Sequence, residues 1–449
     1  MEGVFHESNS PRKARPLIAG WQCRVCGASV DIATPCTWKC PNANETDRHH
    51  AMRLVTRKAP RRKRGASRSS LRFGGPSTGN DGRASNPFLD FRNDLAWDAF
   101  AAANGATVAA RDAMVSDLDS LVSSVAGTGF LETPFERADD LSDALGCTEM
   151  GGLWVKDETR NVAGSHKARH LFTILLHLRT AEQLGLAEWS QRPPLAIASC
   201  GNAALAAATL AAAVSWPIRV FVPPSASLHV TKRLAELGAT VVQCPRLPSD
   251  AAGDPCVHRF REAVAEGAIP FSAQGTENAW CLDGGRTLGW EMMDVSLHRA
   301  FVQVGGGAFA ASVAAGLGAG GSQSRLHAVQ TEASAPLERA WKRSRSKTPA
   351  DHWDECMWPW ENVGVSAADG ILDDETYDWL PVVEAMESTG GSPVVVTEAH
   401  VLEANELGRR TTGIDVSHTG TAGLAGLLAI RDQVSPDERV AVIFSGIRR

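Results

Sequence analysis

From Phe88 onward the chain alternates short apolar runs with longer stretches whose apolar positions recur at helical spacing. Short continuous apolar runs between turn residues predict buried strands, and the longer ones predict helices. Leu195 to Ala198 is a predicted strand, followed by the turn Ser199-Cys200-Gly201-Asn202 and a long alanine-rich helix. Ile218 to Val222 predicts a strand, Val230 to Leu237 a helix ended by Gly238, and Ala239 to Gln243 another strand. Later, Ala300 to Val304 is a strand that runs into Gly305-Gly306-Gly307 and then the helical pattern AFAASVAAGL. Val440 to Phe444 is a last strand, ending in Ser445-Gly446. This alternation predicts an α/β fold with parallel-type sheets. Each polar or glycine-rich motif falls where a strand finishes, the edge at which open α/β sheets bind ligands.

Composition divides what the pattern leaves open. With 449 residues, 43% of them hydrophobic, the chain is long enough for two or three domains and a large core. A net charge of −6 gives no global reason to expect nucleic acid or an anionic membrane as partner. The apolar run from Ala203 to Val214 is too short to cross a bilayer and stops at Trp216-Pro217, and the N-terminus lacks the apolar core of a secretory signal. A cytoplasmic location is the expectation. Residues 56–87 are rich in Arg and Lys among Gly, Ser and Pro, a composition that cannot pack a core, so they read as a basic flexible linker. Its charge suits a nucleic-acid contact, but Phe73 alone offers a ring for stacking on bases, so a solvated tether is the reading.

Candidate chemistry begins at Asn161 to His170, NVAGSHKARH, where Lys167 follows a small-residue turn and heads the apolar run Leu171 to Leu178. A lysine held near a dry crevice can lose its proton and attack a carbonyl. Ordinary helix capping by Asn161 or Ser165 explains the same residues if they stand alone. The triple glycine adds a second signal. Without Cβ atoms the backbone can approach an anion closely, so the N–H groups of Gly306, Gly307, Ala308 and Phe309 are candidates to converge on a phosphate at the positive end of a helix. The loop has neither the lysine of a P-loop nor the spacing of GxGxxG, which disfavours a nucleoside triphosphate or a dinucleotide.

Taken in order, these motifs resemble the fold-type II pyridoxal-phosphate enzymes, the superfamily of threonine synthase, threonine and serine dehydratases, cysteine synthase and the tryptophan synthase β subunit. The resemblance runs from about Asn86 to Arg449. NPFLDFRNDL at Asn86 to Leu95 is similar to a threonine synthase LWRYxxLLP segment, and GFLETP at Gly129 to Pro134 to GEGxTPL. WVKDETRNVAGSHKAR at Trp154 to Arg169 resembles YVKDEGxNPTGSFKDR; DGGRTLGWE at Asp283 to Glu291 and GIDVSHTGTAGL at Gly413 to Leu424 resemble two later segments. The resemblance implies two catalytic units. The larger, cofactor-phosphate-binding one comprises 88–158 and 255–449, and the smaller, 159–254, carries the lysine and the carboxylate loop.

It also implies roles. Lys167 is the expected lysine that bonds the cofactor and, once displaced by substrate, moves the Cα proton. Asn202 is expected beside the cofactor's 3′ oxygen, and Ser199, Cys200, Gly201, Asn202 and Ala203 around the substrate carboxylate. Gly305, Gly306 and Gly307, with Ala308 and Phe309, are the expected phosphate loop, and Ser445 is expected to face the pyridine nitrogen. A neutral hydroxyl there makes the ring a milder electron sink than an aspartate would, favouring elimination or replacement over transamination. His166 departs from the Phe of threonine synthases and is similar to the histidine of tryptophan synthase β that lies near the cofactor phosphate. Ala168 replaces an acidic residue. Arg169, with Arg160, Lys156 or Arg286, is a candidate for a substrate phosphate or second carboxylate. A homodimer is implied by the resemblance alone.

Residues 1–55 need a separate account. Cys23, Cys26, Cys36 and Cys40 have near-zinc-ribbon spacing, and a module so small needs a metal to hold it together. Four thiolates are the expected zinc ligands, with His49 or His50 as an alternative to one of them; some threonine synthases also begin with a short cysteine-paired segment. The expected function is a pyridoxal-phosphate-dependent lyase or synthase acting at the β or γ carbon of an amino acid, of threonine synthase or threonine/serine ammonia-lyase type. The alternatives are a β-replacement synthase on a serine-derived substrate and a non-catalytic protein that binds a partner through the zinc module and linker.

Overall fold

The computed structural model describes residues 18–44, 46–56, 85–187, 189–345 and 348–449. The stretch read as a basic linker therefore lies almost wholly outside the described residues. Strands β1 (Ile18–Cys23), β2 (Ser29–Asp31) and β3 (Met52–Thr56) form an antiparallel sheet in the order β2-β1-β3. Next come β4 (Phe135–Arg137) and β5 (Gly152–Asp157), and then β6 (Leu195–Ala198), β7 (Ile218–Val222), β8 (Thr240–Gln243) and β9 (Ile269–Pro270). The last four make a parallel sheet in the order β8-β7-β6-β9. Finally β10 (Arg299–Gln303), β11 (Arg325–Thr331), β12 (Ser392–Val396) and β13 (Arg439–Phe444) join the earlier pair in the order β12-β11-β10-β13-β5-β4. This sheet is parallel except where β4 meets β5. Every strand expected from the apolar runs is present, within a residue of its predicted ends.

β10 is buried at every position, as a parallel strand covered by helices on both faces must be. The helix Lys167–Gln183 shows the same on its own scale. Leu171, Phe172, Ile174, Leu175, Leu176 and Leu178 are all fully buried because the helix is packed by Trp280–Glu291, Asn202–Ala213 and Ala96–Ala103. Their burial stabilises the fold by on the order of 10 kcal/mol before chain entropy is subtracted. The helices Trp280–Glu291 and Ala308–Ala319 cross so closely that a Cβ at Gly289 would run into the backbone of Val313 and Leu317, and one at Gly316 into that of Arg286. Glycine at both positions lets the helix behind the lysine and the helix behind the glycine loop share one core.

The sheet β8-β7-β6-β9 takes in residues beyond 254. Ile269 and Pro270 pair with Leu195 and Ala196, and the helix Pro255–Ala265 packs on β6 and β7. A two-residue strand carries no periodic signal, which is why the sequence hid it. The helix Val108–Ala126, expected with the larger unit, packs against Asn202–Ala213 of the smaller one. Among the described residues no helix is long and apolar enough to cross a membrane.

Candidate active site

Lys167 begins the helix Lys167–Gln183 directly after a 3-10 turn, Val162–Gly164, in which Ala163 takes a left-handed conformation at φ 54°. The turn is tied to the end of β13. Ser165 bridges Gly446, the His166 N–H donates to the Ser445 carbonyl at 3.1 Å, and the Ile447 N–H donates to the Gly164 carbonyl at 2.9 Å. His166 Nδ1 also lies 3.1 Å from that Ser445 carbonyl. Two segments almost three hundred residues apart thus hold the lysine's backbone in one place.

A cavity of about 850 Å³ opens beside it. Its wall includes His166, Lys167, the turn Ser199 to Ala203, the loop Gly305 to Phe309, and Ser445. The structure therefore brings together every residue expected around the cofactor and the substrate carboxylate. The turn ends β6 and opens the helix Asn202–Ala213; the glycine loop ends β10 and opens Ala308–Ala319. Both helix N-termini, with their free N–H groups, are positive ends suited to anions. Gly307 has φ 98°, a conformation open to glycine and costly for other residues.

Burial lowers the Lys167 pKa, against the opposing pull of Asp373, Cys281 and Asp378. The amine is thus shifted toward its neutral, nucleophilic form. Asp373 accepts from the Gly306 N–H, and its carboxyl is pushed up to about 6, by burial above all, with Lys167 pulling it down and Asp374 and Asp254 adding to the rise. His166 is buried, stacks on the Phe309 ring at 3.9 Å, and is held well below its usual pKa by burial and then by Lys167. Its Nε2 has no hydrogen-bond partner among the described residues. The orphaned His166 Nε2 shares one wall with the N-terminus of the helix Ala308–Ala319, where a phosphate would give that nitrogen a partner by keeping the ring protonated. Cys200 is exposed to the cavity, yet burial and then the carboxylates Asp369, Asp254 and Asp373 push its thiol up, so it is a poor nucleophile.

The cations expected to take a substrate phosphate are not on this wall. Arg169 is fully buried, donating to Glu158 Oε1 at 2.9 Å and to Thr287 Oγ1 at 3.0 Å, and it is paired with Glu291. Lys156 is paired with the same Glu291 and donates to the Thr133 carbonyl at 2.6 Å. Arg286 is held by Asp283 at 2.9 Å and lies over the Trp290 ring; Arg160 is on the surface near Asp157. Arg169 and Lys156, with Glu158, Glu291 and the Thr133 carbonyl, join three motif segments into a buried ion network, which explains their register without a ligand. Arg448 and Arg449 do line the cavity, but Arg448 is paired with Asp415 at 2.9 Å and Arg449 donates to Asn202 Oδ1 at 3.0 Å and to the Ala163 carbonyl. Sequence reasoning missed Arg449, Asp369, Asp373 and Gln303, all on the wall. Only the acidic run from Asp373 to Glu375 offered a signal, and it has the look of a solvated loop.

The second cluster differs from the one expected. Side-chain donor atoms of Cys23, Cys26, Cys40 and His50 lie within 4.8 Å of one another, and Cys36 is not among them. Cys23 Sγ is 3.3 Å from His50 Nδ1, and the Cys26 and Cys40 sulfurs are 3.5 Å apart. The register explains the exchange, since Met52 pairs with Cys23 and so brings His50, just before β3, to the first cysteine. Cys36 sits in a turn at φ 52°, and His49 stacks on Trp353 instead. Asp47 lies 3.3 Å from the far ring nitrogen of His50 without a hydrogen bond to it.

A family model described as Pyridoxal-phosphate dependent enzyme matches residues 128–446. The chain belongs to that family. It is 26% identical over 327 residues to the threonine synthase of Methanosarcina acetivorans, covering 70% of this chain and 74% of that protein. It is 25% identical over 328 residues to the threonine synthase of Methanocaldococcus jannaschii, with 70% and 74% covered. Among solved structures it resembles the processed form of threonine deaminase isoform 2 from Solanum lycopersicum, with a TM-score of 0.57 at 19% identity, over 75% of this chain and 90% of that one. The architecture is that of a fold-type II pyridoxal-phosphate enzyme. The match begins after the cysteine cluster, so the antiparallel sheet is an addition to the part this family shares.

Proposed function

We propose that the protein is a pyridoxal-phosphate-dependent lyase that eliminates from the β carbon of a hydroxy-amino acid such as threonine or serine and releases ammonia and a keto acid. The observation that carries the reading is Lys167, a half-buried lysine of lowered pKa on the wall of a cavity shared by the glycine loop and a second helix N-terminus. When bound, pyridoxal phosphate supplies the electron sink for the pair released as the Cα–H bond breaks. The chain's own groups do the rest. Lys167 Nζ takes the Cα proton, its neutral form kept accessible by burial; that proton leaves with the β hydroxyl as water, and a water then splits the released enamine into the keto acid and ammonia. The N–H groups at Gly201 to Ala203 and the Ser199 hydroxyl orient the substrate carboxylate, and Gly305 to Phe309 with His166 hold the cofactor phosphate. Asn202 sits beside the cofactor's 3′ oxygen. The commitment of Arg169 and Lys156 to a buried network, and of Arg286 to Asp283, favours an unphosphorylated substrate over O-phosphohomoserine.

Assays of the holoenzyme with threonine, serine and O-phosphohomoserine test this. Keto acid from threonine or serine is expected. Threonine formed from O-phosphohomoserine would overturn the ammonia-lyase assignment, and no turnover of any of the three with cofactor bound would overturn the lyase assignment. For the N-terminal cluster we propose a structural zinc ion held by Cys23, Cys26, Cys40 and His50. Contacts of 3.3 and 3.5 Å between donors match a tetrahedral site, in which Zn–S bonds of about 2.3 Å set neighbouring sulfurs roughly 3.8 Å apart. One equivalent of zinc retained on purification and lost in His50→Ala is expected; zinc retained in His50→Ala but lost in Cys36→Ser would contradict this ligand set.

A further inference from the structure

Gln303, the last residue of β10, lines the cavity and is 2% exposed. Its Nε2, with two N–H groups, lies within hydrogen-bond reach of four acceptors, the carbonyl oxygens of Thr419 at 3.1 Å, Gly420 at 3.0 Å and Ile443 at 3.2 Å, and Ser445 Oγ at 2.7 Å, the shortest of them. Its Oε1 has no partner among the described residues and faces Gly423, where a built Cβ would lie 3.1 Å away. Turning the amide over would set Oε1 against three carbonyl oxygens, so those carbonyls decide which end meets the serine. Ser445 Oγ is therefore an acceptor toward Gln303. Its shortest contact is thus to a nitrogen that can only donate, so its own proton is left for another partner.

We propose that Gln303 is a positioning residue that fixes the Ser445 hydroxyl as a hydrogen-bond donor to the pyridine nitrogen of the bound cofactor and so keeps that nitrogen unprotonated. This rests on the reading that Ser445 faces that nitrogen. A serine hydroxyl alone is ambivalent, since it can donate to a neutral ring nitrogen or accept from a protonated one. With the amide N–H groups aimed at its oxygen, accepting from a positive ring would place two donors against one small oxygen in a buried site, which low local dielectric makes costly. The unprotonated ring draws electrons less strongly. The pair released at Cα then leaves through the β substituent rather than being stored on the cofactor, which suppresses transamination. The serine supplies the group that touches the ring, and the glutamine supplies its direction.

The test is nitrogen-15 NMR of holoenzyme reconstituted with cofactor labelled at the pyridine nitrogen, titrated from about pH 6 to about pH 9. The wild type is expected to show the unprotonated resonance throughout. In Gln303→Met the hydroxyl is free to donate to the Ile443 carbonyl and accept from the ring, so the ring pKa is expected to rise by about one unit or more. Turnovers that end in pyridoxamine phosphate are expected to rise about tenfold relative to elimination. In a Ser445→Ala background the same Gln303→Met change should leave the resonance where Ser445→Ala alone puts it, which a merely structural glutamine would not require. If Gln303→Met does not fold, Gln303→Asn, which withdraws the amide from Ser445 by one methylene, carries the same expectation. A resonance that moves in Ser445→Ala but titrates as wild type in the Gln303 variants overturns the proposal; a resonance unmoved by Ser445→Ala overturns the reading beneath it.

Discussion

The cysteine cluster and the lysine cavity hold their reactive groups in opposite ways. In the cluster the donor atoms come from the end of β1 and from the loops that flank the small sheet, and Cys26 is exposed. Although burial pushes the Cys26 thiol up, hydrogen bonds from the Ala28 backbone and then from Cys40 and Cys23 bring it down to about 7. Around Lys167 the groups come from the ends of β6, β10 and β13 and are backed by fully buried helices. The small sheet puts Ile18, Trp21, Val30, Ile32 and Met52 into the same apolar core as the larger body, whereas its cysteines and His50 lie at one end of it. Where they touch, Trp38 packs edge-on against Trp280 at 5.8 Å and accepts from the Ala279 N–H at 2.7 Å. The helix behind the lysine's helix is thus also the dock for the sheet.

Breaking either side tests this contrast. The largest effect is expected from Lys167→Ala, which should lower elimination about a thousandfold or more in steady-state assays while denaturant unfolding changes little. Next, Arg169→Met leaves Glu158 and Glu291 without their shared cation and should destabilise the body by about 3–5 kcal/mol, read as a lower urea midpoint. Chelation should act on the other side alone: hydrogen exchange in β1 to β3 should lose its protection while β10 and β13 keep theirs. Equal loss in all of them would show that the body also depends on the metal.

The smallest effect concerns pH. Burial pushes the Asp378 carboxyl up to about 7, and Asp373 stands at about 6. Both bind protons more tightly folded than unfolded, so the stability they contribute is fully present below about pH 4 and is lost as the pH rises through about 6 and 7. The thermal midpoint should fall by a few degrees from about pH 5 to about pH 8, and Asp378→Asn, which still accepts from the Gly275 N–H, should flatten that fall.

The same contrast explains what could be read from the chain. Lys167, the Ser199 to Ala203 turn, the glycine loop and Ser445 each sit at the end of a continuous apolar run, and a parallel α/β sheet gathers strand ends on one edge. Pattern plus topology was enough to place them. Gln303 and Asp373 were hidden because the first lies inside an apolar run and the second in an acidic loop, and neither has a local signature. The ion network around Arg169 misled for a related reason, since a motif's spacing reports that residues meet and not whether they meet a ligand. In the cluster, spacing favoured Cys36, whereas strand register selected His50.

The central claim is that Lys167 is the residue that bonds the cofactor. Borohydride reduction of the holoenzyme followed by peptide mass spectrometry tests it directly. The cofactor mass should be fixed to the peptide containing Lys167 and should be absent from Lys167→Ala. Fixation at another lysine, or cofactor retained with no covalent attachment in the wild type, would contradict the account.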